Sequence, residues 1–367
     1  MYLDNAATTP LSREDKDYII SILDDYGNPS SQYSLGDKTR QITEQARKNI
    51  AKFINANSED IIFTSGGSAN NSLAVKGYYE KNNCNILYQP TCHKSILKCV
   101  EHLQKAYSLK VNSQGFVDTQ DLKEWLNTHE KYLVVIEYAN SELGTIQNVR
   151  KIIDLCHFYN AKVYVDCTGS IGQIPVDVKQ LKADMIGFSG HKIHALKGIG
   201  VLYKKSNIEL EPLVYGSQEQ SLFAGTENII GIASIGKAVE NYSYSSISSD
   251  NRDYVYDYIL KNIPDSYLVG ADLECRLPHN LYMCFKGIQG ESLMILLDMS
   301  DIQVSTGSAC MSGDLTPSST LTAIKVNKKD INSCIRITFS GNETKDELNY
   351  LCSNIKKCVG NLRCLNG

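Results

Sequence analysis

"KVYVDCTGSIGQIPVDVKQLKADMIGFSGHKIHALKGIGVLY", residues 162–203, decides the fold. Three short runs of β-branched and aromatic residues, Val163–Asp166, Met185–Phe188 and Gly200–Tyr203, read as strands separated by turn-rich or helical segments. Lys192 sits directly after His191, with Ser189 and Gly190 before it and a glycine-rich turn behind it. A loop lysine taken alone is a solvated charge. Its chemistry depends on what the rest of the chain brings to it.

Working outward, Ile61–Thr64, Ile86–Tyr88 and Leu133–Glu137 read as further strands. Helical patterns lie between them around 69–80, 93–106, 118–129, 148–159 and 227–240. Such alternation predicts an α/β domain with a largely parallel sheet, which binds ligands beyond the carboxyl ends of its strands. "NYSYSSISSD", residues 241–250, lacks periodicity and suits a connector. Beyond it a helix over 251–262, strands near 281–285 and 334–339 and a helix over 344–359 predict a smaller α+β domain. The expected division is 15–245 for the large domain, with 1–14 and 246–367 forming the small one.

Composition removes several function classes. The 367 residues are 21% charged with a formal net charge of -4, so no basic field invites nucleic acid or an anionic membrane. The longest apolar runs, Leu133–Ile136 and Leu293–Leu297, are far short of a membrane span. "MYLDNAATTP" does not read as a secretory signal. Twelve cysteines without a CxxC pair fit neither a disulfide framework nor a metal site, and a reducing cytoplasm is the expected compartment.

Several segments bear on Lys192. "FTSGGSANNS", residues 63–72, follows a strand and opens a helix. Its small residues leave backbone N–H groups free at the positive helix end, a cradle for phosphate, although an ordinary glycine turn with a serine cap reads equally well. It matches neither the dinucleotide nor the P-loop pattern. Asp166 ends an apolar strand, where it is either a structural carboxylate or a partner for a cationic ring nitrogen. His93, in "QPTCHKS", is either a helix-terminal histidine or a ring-stacking one. A Schiff-base lysine, a phosphate cradle, a strand-end Asp and a stacking His are together the parts of a pyridoxal 5'-phosphate (PLP) site.

With these residues in place the chain resembles the class V aminotransferase-fold proteins, and the cysteine desulfurases among them. "YLDNAATTP", "YGNPSS", "IIFTSGG", "GTIQ", "VDCTGSIGQIPVDV", "SGHK", "KGIGVLY", "AGTEN", "STGSAC" and "IRI" follow in family order nearly end to end. The resemblance implies fold type I, a homodimer, PLP as cofactor and L-cysteine as substrate, with a possible sulfur-acceptor protein. It implies that Lys192 forms the Schiff base, His93 stacks on the ring and Asp166 pairs with the pyridine nitrogen. Gly67, Ser68, Ser189 and His191 would hold the phosphate, and Thr226 would reach a phosphate across the dimer. Cys310 would take sulfur as a persulfide, and Asn28 and Ser141 would lie on the substrate side.

Some positions depart from the family pattern. Ser141 stands for an asparagine, Gly169 for a glutamine, Gly341 for an arginine that grips the substrate carboxylate, Gln220 and Phe223 for two further arginines, and Ala69 for a glutamate. Arg336, an odd number of residues before Gly341, is expected on the opposite strand face and not as a substitute. The carboxylate would then meet hydroxyls and backbone donors only, and free cysteine would bind poorly. Two rival readings stay open: a lyase or transaminase of the same fold acting on another amine, and a PLP-retaining interaction protein with weak turnover.

Overall fold

The computed structural model describes residues 1–128, 130–240, 242–244, 248–306 and 318–366. Its large sheet is built from β1 (Ile61–Thr64), β2 (Asn85–Tyr88), β3 (Ala106–Ser108), β4 (Tyr132–Glu137), β5 (Lys162–Asp166), β6 (Met185–Ser189) and β7 (Gly200–Lys204). The spatial order is β1-β7-β6-β5-β4-β2-β3. Only β7 runs against its neighbours, so the sheet is parallel from β3 through β6.

Both faces of this sheet are covered, which is why its strands read as continuous apolar runs. Ile61, Phe63, Val134, Ile136, Val163, Val165 and Val201 enter one core, where the helices Ser34–Phe53 and Ile229–Glu240 pack. The alternate residues Ile62, Leu133, Val135, Tyr164 and Leu202 enter a second core, with the helix Lys94–Glu101 and the segment around Leu73–Val75. Burial of each such side chain contributes roughly 1.5–3 kcal/mol.

A smaller antiparallel sheet follows, in the order β10-β9-β8, from β8 (Ser266–Leu268), β9 (Asn280–Phe285) and β10 (Cys334–Thr338). Its alternation sorts the residues cleanly. Leu281, Met283, Phe285, Ile335 and Ile337 pack against the helices Asp250–Asn262, Gly290–Asp298 and Lys345–Asn366, while Tyr282, Cys284 and Cys334 join Leu143 in a separate cluster on the other face. The N-terminal strap ties in here: Leu3 lies in the small-sheet core, and Asp4 bridges to Thr338. No helix among the described residues is long and apolar enough to cross a membrane.

Candidate active site

Side chains from both sheets and the N-terminal strap enclose a cavity of about 550 Å³ at the carboxyl ends of β4, β5 and β6. One wall carries Gly67, Ser68, Asn71, His93, Glu137, Asp166, Thr168, Ser189, His191 and Lys192. The facing wall is made by Asp4, Ala6, Ala7, Met294, Val304–Thr306 and Arg336. Seven of the residues expected from sequence to touch cofactor therefore meet in one space.

Asp166 is held for an incoming partner. Its Oδ1 accepts from the Thr168 N–H at 2.8 Å and its Oδ2 from Asn71 Nδ2 at 2.9 Å, while Asn71 is itself fixed by the Tyr164 hydroxyl. Glu137 lies next to it, because β4 and β5 pair these two residues in register. Burial, and then the Asp166 charge, push the Glu137 carboxyl up to about 8. Its oxygens accept from the His93 N–H at 2.8 Å and Asn140 Nδ2 at 2.7 Å. Asn71, Glu137 and Thr168 did not emerge from the sequence. Asn71 lies one helical turn after Ser68, and Glu137 ends its strand just as Asp166 does, so both signals were available.

Lys192 Nζ donates to the carbonyls of Ala6 and Ala7 in the strap. Burial, and then the Arg336 cation, lower its amine to about 8. A substantial neutral fraction near neutral pH is what a nucleophilic amine requires. His191 is lowered to about 4, first by burial and then by Lys192, and its Nδ1 lies 3.2 Å from the Thr8 hydroxyl. His93 is the helix-terminal histidine of one reading, and it also lines the cavity. It is the N-cap of the helix Lys94–Glu101, with Nδ1 accepting from the Ser95 N–H.

The residues fit the group that the sequence implies. Gly66 adopts φ +144 ahead of the helical turn Gly67–Ser72, whose first N–H groups have no intrahelical partner. A Cβ on Gly67 would stand 3.2 Å from Thr168 Oγ1, so the glycine keeps the cradle open. That hydroxyl oxygen is itself buried without a hydrogen-bond partner among the described residues, as a cradle awaiting an anion should be.

Several expectations need correction. Arg336 lies on the cavity face of β10, since Ile335 and Ile337 on either side of it fill the small-sheet core. Its Nη2 pairs with Asp4 Oδ1 at 2.7 Å, its Nη1 donates to the Ser141 carbonyl at 3.0 Å, and its buried Nε has no partner among the described residues. Gly341, from which its face was reckoned, lies beyond the end of β10 and lines a different cavity, of about 400 Å³. Gly341 also has φ +87, a conformation that arginine adopts only under strain. A Cβ on Gly169 would lie 2.5 Å from the Ala139 carbonyl oxygen, so this backbone excludes a glutamine there. Asn28 is not brought to the cavity; it is exposed and accepts from the Ser30 N–H at 2.9 Å. Thr226, expected to act across a dimer, is exposed at the surface of this chain. Gln220, which donates to the Glu59 carbonyl, and Phe223, packed on the second core, also stand outside the lining. Ser141 does line it. Cys310 falls outside the described residues; Thr306, four positions earlier, lines the cavity.

Comparison with known proteins agrees with this geometry. The profile of the family "Aminotransferase class-V" matches residues 1–351. The chain belongs to this family. The family's enzymes depend on PLP. The cysteine desulfurase IscS of Dictyoglomus turgidum is 37% identical, over 100% of this chain and 96% of the relative. IscS 1 of Archaeoglobus fulgidus is 34% identical over 100% and 98%. Among solved structures, the NifS-like protein from Rickettsia africae is 30% identical with a TM-score of 0.89, over 98% of this chain and 99% of that one. SspA, solved in complex with cysteine, is 26% identical with a TM-score of 0.82, over 94% and 99%.

Proposed function

We propose that this class V aminotransferase is a cysteine desulfurase, converting L-cysteine and a protein thiol into L-alanine and a persulfide on Cys310. One observation carries the reading: a lysine of lowered basicity shares a cavity with a prepared carboxylate, an anion cradle and a cation positioned for a substrate carboxylate. The names of the relatives support the same substrate.

When bound, PLP supplies a protonated pyridine that withdraws electrons from the substrate. The protein's own groups do the rest. Asp166 would accept the hydrogen bond of the pyridinium N–H, while Thr168 and Asn71 keep its carboxylate from turning away. Gly67, Ser68, Ser189 and His191 would hold the phosphate, and His93 would cover the ring. Lys192 Nζ would hold the cofactor covalently and, when free, would take the proton from the substrate Cα. Arg336 Nε, the guanidinium donor left without a partner, offers a charge-assisted hydrogen bond to the α-carboxylate, while Asp4 and the Ser141 carbonyl keep the fork oriented. Cys310 would receive the substrate sulfur: the Cβ–S bond breaks as the S–S bond forms, its electron pair stays with the carbon, and a proton, in net that of the Cys310 thiol, completes the methyl group of alanine.

We further read the assembly as a homodimer. Tyr26, Tyr33 and Leu35, and separately Val214 and Tyr215, are large apolar side chains left exposed by one chain. A cross-subunit role for Thr226 accords with its exposure. The eleven described cysteines are unpaired, which accords with a reducing cytoplasm. The experiment that tests the function is product analysis with L-cysteine and dithiothreitol. Alanine and sulfide in equal amounts support it, whereas pyruvate or another keto acid identifies a lyase or a transaminase. Tight PLP with no product would favour a binding protein.

A further inference from the structure

Outside the cavity, two thiols face one another across the small sheet. Cys334 on β10 is registered directly opposite Cys284 on β9. Antiparallel partners alternate between hydrogen-bonded and open pairs. The Phe339 N–H donates to the His279 carbonyl, fixing that opposed pair as hydrogen-bonded; stepping back along the register makes 334/284 an open pair. The same parity follows from Arg336, whose N–H and C=O both bond Ser305 on the far side of β10. Open pairs place Cα atoms about 4.5 Å apart, at the near edge of the roughly 4.4–6.8 Å that a disulfide spans. Both thiols also converge on one acceptor, the Asp330 carbonyl, at 3.3 Å from Cys334 Sγ and 3.8 Å from Cys284 Sγ.

We propose that Cys284 and Cys334 are a reversible dithiol–disulfide pair, oxidised by small-molecule disulfides. One thiolate attacks a sulfur of the small disulfide, forming a mixed disulfide and releasing one small thiol. The second thiolate then displaces the other small thiol and closes the cross-strand bond. Two protein thiols are oxidised, one disulfide is reduced to two thiols, and their protons leave with them. Either thiol can attack first, since both sit on the same acceptor carbonyl and the second lies directly opposite to close the bond. The two side chains are buried, and the 3-10 turn Ile331–Ser333 with exposed Lys328, Lys329 and Asn332 nearby separates Asp330 and its acceptor carbonyl from β10. Reagent therefore enters by opening of that turn and not of the whole domain.

The pair lies on the active-site face of the sheet. Arg336 and Tyr282 are the next residues along the same face, and the Tyr282 hydroxyl bonds the Thr306 carbonyl and Glu142. A bond formed here ties together the two strands that supply the cavity's cation and anchor Thr306. This inference is independent of the reaction assigned above.

The test treats the holoenzyme with hydroxyethyl disulfide, alkylates the remaining thiols and maps peptides by mass spectrometry, in buffer and again in sub-denaturing urea. The expected product is a peptide pair joined through Cys284 and Cys334, released by dithiothreitol. Cys284→Ser and Cys334→Ser should each abolish it and leave the remaining cysteine as a mixed disulfide or alkylated. Recovery of both cysteines alkylated and unlinked in both conditions would overturn the proposal. So would cross-links that join either one preferentially to another cysteine.

Discussion

Replacing Glu137 with glutamine tests the electrostatics of the cavity directly. The unfolded chain protonates this carboxyl near the ordinary 4.5, whereas the folded protein holds the proton up to about 8, because the group is enclosed and faces Asp166. Between those values the native state binds more protons than the unfolded one, so stability falls as pH rises through that window. The part of the window between pH 5.5 and 8 amounts to about 3 kcal/mol at ~1.4 kcal/mol per pH unit. The Gln side chain cannot ionise and loses this slope. It also presents an amide donor where the carboxyl accepted from both His93 N–H and Asn140, a cost that does not vary with pH. Urea unfolding of wild type and Glu137→Gln at pH 5.5 and 8.5 separates the two effects. The variant should gain about 3 kcal/mol on wild type between the two conditions. A difference independent of pH would refute the reasoning, whatever its absolute size.

Three further outcomes follow from the same site. Borohydride reduction of the holoenzyme should fix the cofactor on Lys192 alone, and Lys192→Ala should remove the label; a label on another lysine in the wild type would contradict the assignment. Arg336→Gln should raise KM for L-cysteine roughly ten- to a hundredfold, the loss of one charge-assisted hydrogen bond, while changing affinity for the carboxylate-free cysteamine little. Equal losses for both ligands would make Arg336 only a structural residue. Gly169→Gln should destabilise the protein by about 1–3 kcal/mol in thermal or urea unfolding, since its Cβ would overlap the Ala139 carbonyl; an unaffected midpoint would count against this backbone.

The large sheet was legible because its strands are buried on both faces and so stand out as apolar runs. Every strand read from residues 61 to 203 appears within a residue or two of its expected ends. The omissions are physical in origin. Ala106–Ser108 and Ser266–Leu268 are three-residue strands at sheet edges, too short to show a period. The helix Ser34–Phe53 is polar over much of its surface and buries only a stripe through Thr39, Thr43, Ala46 and Ile50. Within the site, Lys192, Asp166, Ser68 and Ser189 were readable from their places at strand ends and helix starts. Arg336 was misjudged because its face was reckoned from Gly341, across a turn. The neighbouring isoleucines, both facing the small-sheet core, set it correctly. Gly169 looked like a lost donor; its backbone neighbour shows that it is a position of close approach.

The most direct measurement is a single turnover. Holoenzyme mixed with less than one equivalent of L-cysteine, quenched and mapped by mass spectrometry, should yield alanine in the amount of cysteine consumed, with the sulfur on Cys310 as a persulfide. In Cys310→Ala no other cysteine should carry it in comparable yield. Sulfur mapped to a different cysteine in the wild type, or a keto acid in place of alanine, would contradict the account.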